Sequence, residues 1–270
     1  MSGAVPLRPM TTGELLDAAM ALLRTRALAL LGAGFLLALL EQVILFPLRQ
    51  LADVVYLIFP DEDRLGWYVL LVVVGFATEA LCLTVLGALS AAAAPRALLG
   101  PAAPARPVPV VAVGLTAPLM AAVCGLAAGT IVAWPIVYML VGLIAPTIVI
   151  DRLGPVRTVS RALWLATRYV LRAGRIRLLG YASWLLVRSA TGLGGWFALG
   201  LIIDTGVAWR DHLVTGLAWL MVNSVAYPVL ACLDTVIYLE TRMRAEGLDI
   251  ALRRAASRGT PFEAALAVLR

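Results

Sequence analysis

Six apolar runs, each poor in charge and most long enough to cross a bilayer, leave this chain few folds to choose from. They cover about 27–48, 66–93, 108–132, 135–150, 178–203 and 213–238. A helix rises 1.5 Å per residue, so roughly 20 apolar residues span the hydrocarbon core. Composition agrees: 62% of the residues are hydrophobic and 14% charged, against about half and about a quarter in soluble domains. A transmembrane barrel would show short alternating segments instead. The expected fold class is all-α, a polytopic transmembrane helix bundle of about six spans plus two in-plane amphipathic helices. Residues 1–250 form one membrane domain and 251–270 a cytoplasmic tail. The third and fourth runs meet at "AWPIV", either as two full crossings or as a bent pair. Pro135 suits the first turn of the fourth helix, where its missing N–H costs nothing. Pro118, Pro146 and Pro228 fall inside runs and are expected to bend them.

Arginine sets the expected orientation. All 22 basic residues are Arg, and cytoplasmic loops collect positive charge. With both termini in the cytoplasm, only Arg49, Arg64 and Arg210 lie outside, and Arg188 lies within a span. The outer loops are acidic instead, with Asp53, Asp61, Glu62, Asp63, Asp204 and Asp211. The net charge of +6 therefore reads as inner-loop arginine facing anionic lipid, not as a nucleic-acid footprint. The expected location is the inner (plasma) membrane.

Two segments read as helices lying along the membrane. "TTGELLDAAMALLRTR" puts Leu15, Leu16, Ala19, Leu22 and Leu23 on one face, away from Glu14, Asp17 and Arg24. Thr11 or Thr12 can cap its start, with Glu14 in the first turn. "GPVRTVSRALWLATRYVLRAGRIR" repeats Val156, Val159, Leu163, Ala166 and Val170 at helical spacing. An opposing stripe of Arg157, Arg161, Arg168, Arg172 and Arg175 suits anionic head groups. Each segment enters a span directly and from the same side, which suggests a parallel internal repeat. At the end of the last run, "YLETRMRAEGLD" places Tyr238 at interface depth. Arg242 and Arg244 stop the helix sliding inward, Glu240 and Arg244 are spaced to pair, and Gly247 ends or bends the helix. The stretch reads as an anchor or as a docking site for a membrane-protein partner.

Motifs for chemistry are missing. No Walker loop or dinucleotide fingerprint occurs, and "GLGG" at 192–195 lacks the strand and lysine that would make it a phosphate loop. His212, the one histidine, reads as an outer-loop residue without a triad. Cys82, Cys124 and Cys232 sit alone in apolar runs, too scattered for a metal or a disulfide. No cofactor or metal is expected, and no enzyme. The functional leads are ionisable residues inside spans, each costly unless paired or wetted: Glu41, Glu79, Arg188 and Asp234. Arg188 lies about ten residues, or ~15 Å, into its span, a depth that matches Glu79. Asp234 can face Arg242 or the arginines of 152–177.

Three stretches resemble a known family. "LRPMTTGELLDAAMALLR", "VIDRLGPVRTVSRALWLATRYVLR" and "IYLETRMRAEGLDIAL" are similar to the opening, central and closing segments of a family of bacterial integral membrane proteins. That family is named for the membrane domain of glycerophosphoryl diester phosphodiesterase. The resemblance implies a stand-alone member without the soluble catalytic domain, whose chemistry needs paired histidines and clustered carboxylates. It implies no activity.

The first expectation is thus a non-enzymatic scaffold or subunit of a cell-envelope or membrane-transport assembly. The alternative is a small-molecule or ion transporter using Glu79 and Arg188. A membrane-embedded lipid enzyme stands last. A solid bundle locked by that pair favours the first, and a polar cavity the second. The topology predicts that a cysteine at position 160 is labelled from the cytoplasmic side only. Labelling by an impermeant reagent added to intact cells reverses the orientation.

Overall fold

The computed structural model describes residues 5–54, 62–100, 103–130, 132–201 and 208–258, the side chains of Val170, Leu199, Ala208 and Ala256 apart. Among these residues there is no strand. The helices are α1 (Thr12–Thr25), α2 (Ala27–Ala52), α3 (Leu65–Leu99), α4 (Val110–Gly129), α5 (Ala133–Val141), α6 (Ile144–Asp151), α7 (Pro155–Gly200), α8 (Ala208–Glu246) and α9 (Leu248–Arg258). Five segments are long and apolar enough to cross a membrane: α2, α3 with its leading turn, α4, α5 with α6, and α8. This is an all-helical membrane protein.

The fifth run, 178–203, falls within α7 and misses that measure. Arg188 and the Ser, Thr and Gly residues around 189–195 dilute its apolarity, and residues 202 and 203 lie outside the described set. Yet α7 lies antiparallel along α8, with Arg172 against Glu240, Arg177 against Asp234 and Arg188 against Asn223. The 135–150 run is two helices, broken at Gly142 and Leu143. Pro135 does sit in the first turn of α5. Neither Pro118 nor Pro228 interrupts its helix.

Helix α2 packs antiparallel to both α3 and α8, so α3 and α8 run parallel. Glu41 lies near Thr78 on one side and near Asn223 and Tyr227 on the other. Small residues allow these approaches. A Cβ on Gly34 would come within 2.5 Å of Pro228. The stretch Ser90–Ala94 is buried throughout, with the Ser90 hydroxyl 2.6 Å from that of Thr235 on α8. That burial carries α3 past the expected end at 93 to Leu99.

The amphipathic segments face protein. Thr11 caps α1 in a capping box with Glu14, and the Arg8 guanidinium beside it, then the Thr11 donors, hold the Glu14 carboxyl down at about 2. Leu15, Ala19, Leu22 and Leu23 enter the main core, whereas Leu16, expected with them, is 40% exposed. In the first part of α7 the buried face is Thr158, Ala162, Leu165 and Ala166. Val156, placed by its spacing on one apolar face with Ala166, is 81% exposed. The helix is rotated because Ala162 and Ala166 let it seat against the bundle and Val156 lies beyond that contact. Its backbone turns at Tyr169 and Leu171, which have φ of 51° and 57°. Arg26 makes a similar elbow between α1 and α2, with φ of −143°. Each elbow leads through one helix to a long return helix that stops at a glycine of positive φ, Gly100 or Gly247. Leu248, Leu252 and Ala255 of α9 are buried, so the first residues of the 251–270 stretch pack on the bundle. Residues 259–270 lie outside the described set.

The GxxxG of α4 packs internally. A Cβ on Gly125 would lie 2.9 Å from both the Ala77 Cβ and the Val73 carbonyl, whereas one on Gly114 meets nothing within 4 Å. Overpacking costs about 1–3 kcal/mol. Gly125→Ala should therefore lower the melting temperature in detergent, and Gly114→Ala should leave it unchanged or raise it. Equal behaviour of the two variants would show that α3 and α4 are not in this register.

Candidate functional site

Polar side chains inside the bundle meet at three levels along α7 and α8. The outermost is built on Glu41. Burial to 3% exposure obliges its carboxylate to find donors. The Tyr227 hydroxyl donates to Oε1 at 2.7 Å, and Asn223 Nδ2 and Gln42 Nε2 donate to Oε2 at 3.0 and 3.1 Å. Among the described residues no guanidinium lies within ion-pair distance of Glu41. One turn away, Glu79 takes the Tyr181 hydroxyl at 3.2 Å and stands 3.5 Å from Arg188 Nη2. Arg188 also donates to Asn223 Oδ1 at 3.4 Å, so one amide ties the two carboxylates together. The guanidinium lies 5.0 Å from the Tyr181 ring, within cation–π reach.

These groups line the floor of a cavity of about 230 Å³. Its walls are largely apolar and aromatic, with Tyr68, Phe76, Leu185 and Trp219, and Arg49 and Val54 lie on it toward the 53–64 connection. A mostly apolar concavity with a few convergent polar groups is the usual form of a small-molecule site. Here the floor offers two carboxylates, a guanidinium, two amides and two phenols.

Glu79 also lines a second, more enclosed space of about 20 Å³, together with Thr84, Cys124, Tyr138, Gly142, Arg177 and Asp234. Arg177 Nε binds Asp234 Oδ1 at 2.7 Å, and the guanidinium lies 3.6 Å over the Tyr138 ring. The break between α5 and α6 makes room for it, because a Cβ on Gly142 would overlap the guanidinium.

The third level is a lattice at the ends of α6, α7 and α8. Asp151 is its hub, taking Arg161 Nε, Arg242 Nη1 at 3.1 Å and the Tyr238 hydroxyl at 2.6 Å. Glu246 accepts from Arg161 and from Arg242. Glu240 binds Arg244 and, at 3.2 Å, Arg172, and both guanidiniums also donate to the Met10 carbonyl. The charge-dense "YLETRMRAEG" is thus tied inward to the N-terminal segment, α6 and α7.

All four intramembrane candidates are buried here. Glu79 and Arg188 meet, Asp234 takes Arg177 from the 152–177 group, and Glu41 joins the first pair through Asn223. The arginine stripe splits. Arg157, Arg168 and Arg175 are exposed, but Arg161 and Arg172 turn inward, because Asp151, Glu240 and Glu246 need counter-charges. His212 is on α8 rather than in a loop. It is 2% exposed, with Nε2 3.7 Å from Asp53. Asn223, Arg177, Asp151 and the tyrosines 138, 181 and 227 were missed as site residues. A mid-run Asn223 and a mid-run Tyr227 are the signals that could have found two of them, whereas Tyr138 and Tyr181 lie close to the starts of their runs, where an interfacial Tyr is ordinary. Asp61, Asp204 and Arg270 lie outside the described residues. No group of three or more metal-binding side chains occurs among those described. No family model, curated protein or solved structure matches the chain.

Breaking a buried ion pair costs about 3–5 kcal/mol, whereas replacing both partners by apolar residues can be nearly neutral. Glu79→Ala and Arg188→Ala should each lower folded yield in detergent, and Glu79→Leu with Arg188→Leu should restore much of it. Additive losses without rescue would show that the two charges do not depend on each other.

Proposed function

We propose that the protein is a multi-pass plasma-membrane transporter for a small solute, with six crossings and both termini cytoplasmic. The observation that carries this reading is the 230 Å³ cavity with Glu41, Glu79, Arg188 and Asn223 on its floor. Charges kept only to lock helices would be packed over, since a sealed apolar contact is at least as stabilising. Here they border open space. The broken α5–α6 segment beside Arg177 adds support, because interrupted helices line transporter sites. Orientation follows from arginine placement, and α7 is the sixth crossing because it accompanies α8 through its polar levels. The exposed Arg157, Arg168 and Arg175 then face anionic head groups. The same reading takes the chain as a stand-alone member of the family named for the glycerophosphoryl diester phosphodiesterase membrane domain, on the three segments quoted above.

A second reading, a scaffold or subunit for other membrane proteins, rests on the Asp151 lattice, which stiffens the cytoplasmic end. The two differ in whether water reaches the cavity. Gly75 lines it, and a Cβ there would meet only Leu45, at 3.9 Å. Gly75→Cys should react with an impermeant thiol reagent added from outside. Leu126→Cys, on a 73% exposed, apolar position of α4, should stay unlabelled in lipid. If Gly75→Cys is as inert as Leu126→Cys, the cavity is closed to solute and the scaffold reading stands.

A further inference from the structure

The small enclosed space has an unusual lining. Two buried polar atoms of its lining residues lack a hydrogen-bond partner, Tyr138 Oη and Arg177 Nη1, and Glu79, whose Oε1 has the Arg188 ion pair at 3.5 Å but no hydrogen bond, lines it too. The three residues are 4%, 4% and 8% exposed. Leaving a buried polar group unsatisfied costs about 1–3 kcal/mol, and more for a charged one. Two such atoms and an under-bonded carboxylate around one void point to an occupant. The void is about 20 Å³, and about 10–15 Å³ suffices for one water with two to four polar partners. The lining also selects water over an ion. Arg177 Nη1 donates, Glu79 Oε1 accepts and Tyr138 Oη can do either, so the occupant must both accept and donate. A lone anion or cation serves only one side of that set.

We propose that this space holds one water joining Glu79 to the Arg177–Asp234 pair, and that protons cross the middle of the bundle through it. The step rests on the transport reading, in which the proton is the coupling ion. The O–H bond of a protonated Glu79 breaks, and its proton goes to the water oxygen. The water releases one of its own protons to the Asp234 carboxylate and is restored. Glu79 is left ionised beside Arg188, and Asp234 is neutral beside Arg177. Both arginines keep their protons throughout, as guanidinium does in proteins.

The neighbours of Glu79 fit this role. Glu41 on α2 and Tyr227 on α8 border it from the outer cavity, and Tyr181 and Arg188 on α7 contact it there. From the enclosed side come Cys124 on α4, Tyr138 on α5, Arg177 on α7 and Asp234 on α8. Glu79 is thus the one carboxylate that lines both spaces. It takes protons from the solute cavity and passes them to a place the cavity does not reach. Intramembrane carboxylates in such series are the usual parts of proton relays.

Radiolytic hydroxyl footprinting of the intact protein in detergent reads the water. Tyr138 should be oxidised about tenfold or more faster than Tyr238, which is fully buried with its hydroxyl bound to Asp151. Equal rates would mean a dry pocket and overturn the proposal. Proteoliposomes with an inside-negative potassium diffusion potential and an internal pH dye read the proton. The wild-type protein should acidify the interior faster than empty liposomes. Asp234→Asn should slow this by about tenfold or more. Tyr138→Phe removes a single hydroxyl from the pocket and keeps the Arg177–Asp234 pair, and it should slow it likewise. Wild-type liposomes no faster than empty ones, or a Tyr138→Phe rate equal to wild type, would overturn the proton link. Labelling at Gly75 is independent of all these readouts. A wet outer cavity with a dry Tyr138 therefore sinks the relay alone, and an inert Gly75 sinks the transport reading itself.

Discussion

A charge carried into an apolar bundle has to be met by an opposite charge or a dipole from another helix. That requirement fixes more of this molecule than any apolar contact does. Along α7 and α8, Arg172 meets Glu240, Arg177 meets Asp234 and Arg188 meets Asn223. The steps along the two helices match in length, so sliding one past the other by a turn would leave several buried groups unmatched at once. Apolar packing is tolerant of such shifts, and ion pairs are not. The register of the longest helices is therefore written in a few polar residues, and α2 and α3 are drawn into it by Glu41 and Glu79.

The two ends of the ladder are built differently. At the end where α6 stops and α7 starts, carboxylates and guanidiniums share partners so fully that Asp151, Glu240 and Glu246 each bind two guanidiniums. Such sharing suits a closed, stiff end. Toward the other end, Glu41 has only neutral donors among the described residues, and the walls draw back into a cavity. Stiffness at one end and open volume at the other fit the transport reading proposed above.

Much of this was legible in the chain. Apolar runs mark α2, α3, α4 and α8 to within a few residues at most ends. Depth along a run was enough to match Glu79 with Arg188, and i, i+4 spacing to match Glu240 with Arg244. A threonine cap at Thr11 or Thr12 followed from side-chain chemistry, and the structure uses Thr11. What could not be read was rotation and partnering. The first part of α7 presents two plausible faces, and the choice went to Ala162 and Ala166 because small residues allow closer packing, a fact of the neighbour and not of the helix. For the same reason Arg161 and Arg172 left the expected lipid stripe. The break in α5–α6 was legible in part, since Pro146 cannot donate to the Gly142 carbonyl four residues before it, but that Arg177 fills the space at Gly142 was not. Asn223 and the core tyrosines were passed over because uncharged polar side chains stand out little in apolar runs, although they complete the network.

Every basic residue in this ladder is arginine, and the chain contains no lysine. Guanidinium does not give up its proton at any pH a protein meets, whereas a buried ammonium can. The rungs can accordingly be discharged from one side only, by a proton arriving on a carboxylate. Alkali has no purchase on the cationic half of any rung, while acid can undo them one carboxylate at a time. The carboxylate is thus the half of a rung on which a proton can come or go, and the arginine half is fixed.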